Sequence, residues 1–126
     1  MQDLKRKLTL TAPVVWLVLI WTVSSIPGKR MPSLKVISID KLAHIGQYLV
    51  LGLLVNQALK SLRIRSGAVP WIYLALLLSA GFDEWHQRLI PHRSVSWWDF
   101  VANGIGLGIA FSFFWFSRDR SKEPTP

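Results

Sequence analysis

Asp40, Lys41 and His44, with Tyr48 one turn further on, are the first of three polar groups that interrupt an otherwise apolar chain. The second is Asp83, Glu84, His86, Gln87 and Arg88, and the third is Asp99 and Asn103, preceded by Arg93 and Ser94. Carboxylates and an imidazole held within reach of one another can exchange protons, so His44, Glu84 and Asp99 are the candidate catalytic residues. Cations beside them can hold an anionic headgroup through charge-assisted hydrogen bonds. Asp40, Lys41, Tyr48, Asp83, Gln87, Arg93 and Asn103 are accordingly the candidate ligand-binding residues. The set His44, Glu84 and Asp99 also offers donors suited to a divalent ion. No HExxH or comparable paired motif accompanies it, so no metal or other cofactor is expected.

These residues are positioned by apolar segments. A helix needs roughly 20 mostly apolar residues to cross the hydrocarbon core. Four stretches qualify, at about 8–26, 39–59, 69–90 and 95–116. The first is stopped by Pro27-Gly28, and the third opens at Val69-Pro70, where proline suits a first helical turn. The apolar runs are continuous, without the alternation of a β-barrel. The expected fold is an all-α membrane protein, a bundle of four transmembrane helices forming one domain. The tail 117–126 is polar, ends in Pro-Thr-Pro, and is expected to be disordered.

Charge and composition agree. Charged residues make up 17% of the chain and cluster between the spans, against a quarter or so in a soluble domain. The net charge of +8 reflects Lys and Arg beside apolar spans, which fits membrane topology and not nucleic-acid binding. With no cysteine, disulfides, thiolate chemistry and Cys-based zinc sites are excluded.

Lys5, Arg6, Lys7, Lys60, Arg63, Arg65, Arg118, Arg120 and Lys122 flank one side of the spans. The other side carries the fewer: Lys29, Arg30, Lys35, Lys41, Arg88 and Arg93. The larger set marks the inside. The expectation is a multi-pass protein of the cytoplasmic membrane with both termini cytoplasmic. Lys5-Arg6-Lys7, the apolar run and Ser24-Ser25 also match a secretory signal peptide. The length of the run, and Trp16 and Trp21 within it, favour a retained helix.

At about 1.5 Å per residue, all three polar groups fall within roughly 5–11 Å of helix ends on the predicted external side. Asp40, His44 and Tyr48 share a stripe at four-residue spacing, as do the pairs Asp83–Gln87, Glu84–Arg88 and Asp99–Asn103. The inner halves of the spans hold nothing comparable, so one external polar pocket is expected. Asp40 and Asp99 equally suit helix N-termini as partners of the dipole. Lys41, Arg88 and Arg93 equally suit snorkelling to headgroups. The deeper His44, Glu84 and Asn103 fit an inward-facing role better. Gly104 with Gly108, and Ala102 with Gly106, are small-xxx-small pairs that permit close helix packing within the chain or a homo-oligomer. Trp97, Trp98 and Trp115 fit interfacial belts.

The polar blocks resemble those of the VanZ-like family. Asp40-Lys41-x-x-His44-x-x-x-Tyr48 looks like the motif that opens a central helix there, and Asp83-Glu84-x-x-Gln87 is similar to a second. Pro91-x-Arg93-Ser94 and Asp99-x-x-Ala102-Asn103-x-x-Gly106 follow in the family's order and approximate spacing. Ser24-Ser25-Ile26-Pro27 resembles the usual end of its first helix. The likeness covers about residues 10–115. His92 stands where the family often has glycine, and Gly104 where it often has a small hydroxyl residue. The resemblance implies a bacterial or archaeal cytoplasmic-membrane protein. It brings a context of low-level teicoplanin resistance and no established reaction.

The function expected is that of an envelope protein whose outer-side pocket binds or modifies a lipid-linked or amphiphilic molecule. Its partners would be membrane lipids or a lipid-linked precursor, with no nucleic acid, and a second copy met through Gly104 and Gly108. The alternative is a non-catalytic assembly or partner protein whose polar cluster is structural. A transporter fits less well, because the polar groups stop in one half of the spans.

Overall fold

Long apolar runs must satisfy their own backbone hydrogen bonds when no water is at hand, and the helix is the open-chain solution. The computed structural model describes residues 1–27, 37–93 and 95–122, without side-chain detail at 37, 38 and 119–122. It contains α1 (Gln2–Ser24), α2 (Ile37–Ser61), α3 (Val69–Gln87) and α4 (Trp97–Lys122), with a 3₁₀ turn, Ser66–Ala68, leading into α3. Each of the four carries a stretch long and apolar enough to cross a membrane. Among the described residues there is no strand. The protein is an all-α, multi-pass membrane protein built as a four-helix bundle. Gly28, Lys29, Arg30, Lys35 and Ser94, the side chains of Arg120 and Lys122, and the closing Pro-Thr-Pro lie outside the described residues.

The helix limits differ from the sequence expectation by more than two residues at three ends. Helix α1 starts at Gln2 because nothing before Leu8 breaks a helix, and Asp3 and Lys7 pair across one turn at 3.0 Å. Helix α3 stops at Gln87 and not at Ile90. Leu89 and Ile90 instead close tight turns onto the carbonyls of His86 and Gln87, and the residue before Pro91 is biased away from helix. Helix α4 continues to Lys122, so the first six residues of the tail are helical; no proline or glycine intervenes before Pro124. There Lys60 donates to Ser117 Oγ at 3.1 Å, and the Arg118 guanidinium lies over the Trp115 ring.

Helices α2 and α4 form the central pair, with α1 against α2 and α3 against α4, and α1 touching α3 to close the ring. The core between them holds Tyr48, Leu51, Tyr73, Leu107, Ala110 and Phe114. Gly106 makes the central pair possible. A Cβ there would meet the Ile45 carbonyl and, at 2.8 Å, the Leu49 nitrogen, both backbone atoms that cannot swing away. Gly104 and Gly108 face elsewhere. Gly108 has open space beside it, and the two line a shallow apolar groove with Pro70, Leu74, Leu77 and Phe111. Of the two small-residue pairs, Ala102–Gly106 is therefore the one that seats α4 on α2.

The outward surface is apolar. Val14, Val18, Leu78, Phe113 and many others are exposed on the flanks of the helices. In water so large an apolar surface would drive association; in a bilayer it is the lipid-facing side. Trp97 and Trp98 are exposed at the start of α4, as an interfacial belt requires.

Candidate functional site

Helices α1 and α3 end where α2 and α4 begin, and at that end of the bundle the polar residues meet. Helix α2 supplies Asp40, Lys41, His44 and Tyr48 from one stripe and its neighbour. Helix α3 supplies Asp83, Glu84 and Gln87, and α4 supplies Asp99 and Asn103. Helix α1 adds Ser24, which the sequence reading did not count among the candidate site residues.

The start of α4 explains Asp99. Ser96 precedes the first helical residue, and its N–H donates to Asp99 Oδ2 at 3.1 Å, one half of a capping box. The other oxygen, Oδ1, accepts the Lys41 ammonium in a close ion pair. Lys41 Nζ also donates to Asp40 Oδ2 at 3.2 Å and to Ser96 Oγ at 3.4 Å. The capping role foreseen for Asp99 is thus real, but it uses one oxygen only. Asp99 is buried, whereas the Asp40 side chain is 41% exposed and Lys41 partly so. These two form the mouth of the site.

One layer deeper, Asn103 is wholly enclosed. Its Nδ2 donates to Glu84 Oε1 at 2.9 Å, which turns its Oδ1 toward His44 Nδ1 at 3.0 Å. An amide oxygen only accepts, so Nδ1 is the ring nitrogen that carries hydrogen. Nε2 is left facing Asp40 Oδ1 and Asp99 Oδ1, each at 3.8 Å. Glu84 Oε1 also lies 3.8 Å from His44 Nδ1, so the two candidate acid–base residues do stand opposite each other, with Asn103 joining them.

A second network runs beside this one. Asp83 Oδ2 accepts from Ser24 Oγ at 3.1 Å, Gln87 Nε2 at 3.2 Å and Tyr48 OH at 3.4 Å. Gln87 passes the chain on: its Oε1 accepts from Arg93 Nη2 at 3.4 Å, and Arg93 Nη1 donates to the Ile26 carbonyl at 3.3 Å. Arg93 therefore ties the α3–α4 connection to the end of α1. The ten candidate residues gather at one end, but as two adjoining networks. Tyr48 parts from its stripe companions and belongs with Asp83. His86 turns to α1, stacking on Trp21 and meeting Ser25 Oγ at 3.1 Å, and Arg88 is exposed.

Two oxygens stand out. Asp83 Oδ1 and Glu84 Oε2 are buried without a hydrogen-bond partner among the described residues. A buried polar group left unmatched costs about 1–3 kcal/mol, and a charged one more.

The other half of the bundle is not wholly apolar, contrary to expectation. Asn56 is buried on α2, donates to the Ala110 carbonyl at 2.9 Å and accepts from Tyr73 OH. It continues the four-residue stripe of Asp40, His44 and Tyr48 through Gly52, and that continuation was its sequence signal.

No family model, curated protein or solved structure matches the chain.

Proposed function

We propose that this chain is a VanZ-like protein of the cytoplasmic membrane, with both termini inside, that binds or modifies a lipid-linked or amphiphilic molecule at the outer end of its bundle. The observation that carries this reading is the make-up of the mouth. Asp40 and Lys41 open on the surface between exposed apolar neighbours, Ile39 and Leu42 on α2 and Trp97 and Trp98 on α4. A polar opening with an apolar rim at a helix end matches a molecule with a polar head and a greasy body. Lys41 is the cation a headgroup would meet first. Behind it, His44 and Glu84, coupled through Asn103, are placed to hold or hand on a proton should the bound molecule react. A role in teicoplanin tolerance is carried by the family resemblance.

Binding is tested with the purified full chain in nanodiscs, by competition among lipids of phosphate, diphosphate, zwitterionic and uncharged headgroup and a lipoglycopeptide. A ranked preference that weakens in Lys41→Met is the expected result, and indifference to the headgroup sinks the proposal.

A second reading has its own support. Nearly every polar side chain in the two networks is satisfied by another from the same chain, as in a scaffold that fixes helix packing. On that reading the protein is a non-catalytic assembly or partner protein.

A further inference from the structure

Within the two networks carboxylates outnumber cations. Asp40, Asp83, Glu84 and Asp99 stand against Lys41 and Arg93, and Arg93 is engaged by a backbone carbonyl and the Gln87 amide. Buried charge in a membrane protein is tolerated when a partner compensates it. Glu84, buried against the ring of His44 with Oε2 unmatched, marks where compensation is missing.

On the other edge of the His44 ring, three donor atoms have the geometry of an ion seat. Asp40, His44 and Asp99 each present one ligand atom, and the three lie within 4.8 Å of one another. His44 Nε2 is 3.8 Å from both carboxylate oxygens. Ligands of a zinc-sized ion, at about 2.0–2.2 Å from it, stand about 3–3.6 Å apart. The three atoms therefore need to close by up to about 1.8 Å, and Asp40, at the exposed mouth, has the room to move. The imidazole is already set for the task. Its Nδ1–H is directed at Asn103, itself held by Glu84, and such an outer chain fixes the tautomer and aim of a ligating histidine.

We propose that Asp40, His44 and Asp99 form a binding site for one divalent transition-metal ion, zinc or manganese by donor type, and that the Lys41 ammonium competes with the ion for Asp40 and Asp99. Lys41 is the built-in cation of the mouth, and an incoming ion displaces it from Asp99 Oδ1. The freed ammonium and the ion then face outward together. This site does not depend on the headgroup reading, and its test uses the ion alone.

The test is equilibrium dialysis with elemental analysis on full-length protein in detergent, purified through a tag free of histidine and stripped with chelator. Zinc and manganese are offered separately. The expected result is one ion per chain, at least tenfold weaker in His44→Ala. Binding is expected to be severalfold tighter in Lys41→Met, which removes the competing charge. A variant with His86→Ala and His92→Ala is expected to bind as wild type, since neither histidine is among the clustered donors. Thermal melting confirms that each variant is folded. Absence of bound ion in both wild type and Lys41→Met overturns the proposal, as does binding indifferent to His44→Ala or lost with His86 and His92. Should His44→Ala fail to fold, Lys41→Met decides: tighter binding supports the site, and unchanged or weaker binding overturns it.

Discussion

Asn103 joins His44 to Glu84: it gives its amide hydrogen to the carboxylate at 2.9 Å and receives the imidazole at 3.0 Å. One residue of α4 thereby bridges α2 and α3, two helices that also meet directly through the Tyr48–Asp83 and Tyr73–Asn56 hydrogen bonds. It also decides which ring nitrogen of His44 carries hydrogen.

Asn103→Ala is expected to leave both Glu84 Oε1 and His44 Nδ1 buried without a partner, lowering stability by about 2–4 kcal/mol. Thermal or denaturant unfolding in detergent micelles measures this. A loss below about 0.5 kcal/mol, the range of ordinary surface changes, would show that the junction contributes little to the fold.

Gly106 and Gly108 should respond in opposite ways to the same substitution. Gly106→Ala drives a methyl into the backbone of α2 at Ile45 and Leu49, so the central helix pair must part, at a cost of about 1–3 kcal/mol or more. Gly108→Ala meets nothing within 4 Å and exchanges glycine for a better helix former, a gain of up to about 1 kcal/mol. The two melts, set against wild type, read the register of α4 on α2. If instead Gly104 and Gly108 seat a second copy, Gly108→Ile lowers the oligomeric mass in detergent and leaves the monomer folded.

The architecture was legible because its signal is local. Each span is a continuous apolar run, and the Pro, Gly and Lys/Arg clusters between runs mark its limits. That the polar residues share one end followed from the same count along the helices. Their division into two networks did not follow. His44 and Tyr48 sit four residues apart on one stripe, and only the positions of α3 and α4 send one to Asn103 and the other to Asp83. The two glycine pairs are indistinguishable by spacing for the same reason, since rotation of α4 about its axis is a tertiary property. Asn56 and Tyr73 were passed over because each lies in an apolar run, away from the three polar groups, although a buried amide on a lipid-spanning helix needs a partner as surely as a carboxylate does.

Two turn positions carry the wrong residue for their backbone. Arg63 has φ 53° and His92 φ 58°, the left-handed region that favours glycine. Arg63 follows α2 in a Schellman arrangement, with its own N–H on the Lys60 carbonyl and the Ile64 N–H on that of Leu59. His92 lies in the turn after Pro91. Replacing either by glycine relieves about 1 kcal/mol of backbone strain, so Arg63→Gly and His92→Gly are each expected to melt slightly higher than wild type. A lower melt for His92→Gly would mean that its side chain makes a contact worth more than the strain.

Glu84→Gln and His44→Ala separate a working site from a scaffold. Glutamine preserves the shape of Glu84 and still offers an oxygen to Asn103 Nδ2, while removing the carboxylate charge. His44→Ala removes the ring but keeps the helix. Both are made singly in a host where loss of the protein changes envelope integrity or teicoplanin sensitivity, and membrane abundance and melting are recorded beside complementation. The proposed function expects both variants to accumulate in the membrane, Glu84→Gln within about 1 kcal/mol of wild type because its hydrogen bond persists, and both to fail in complementation. Variants that accumulate and complement fully would leave the cluster without a chemical task. Variants that vanish from the membrane would assign the cluster to helix packing, and the assembly reading would replace the first.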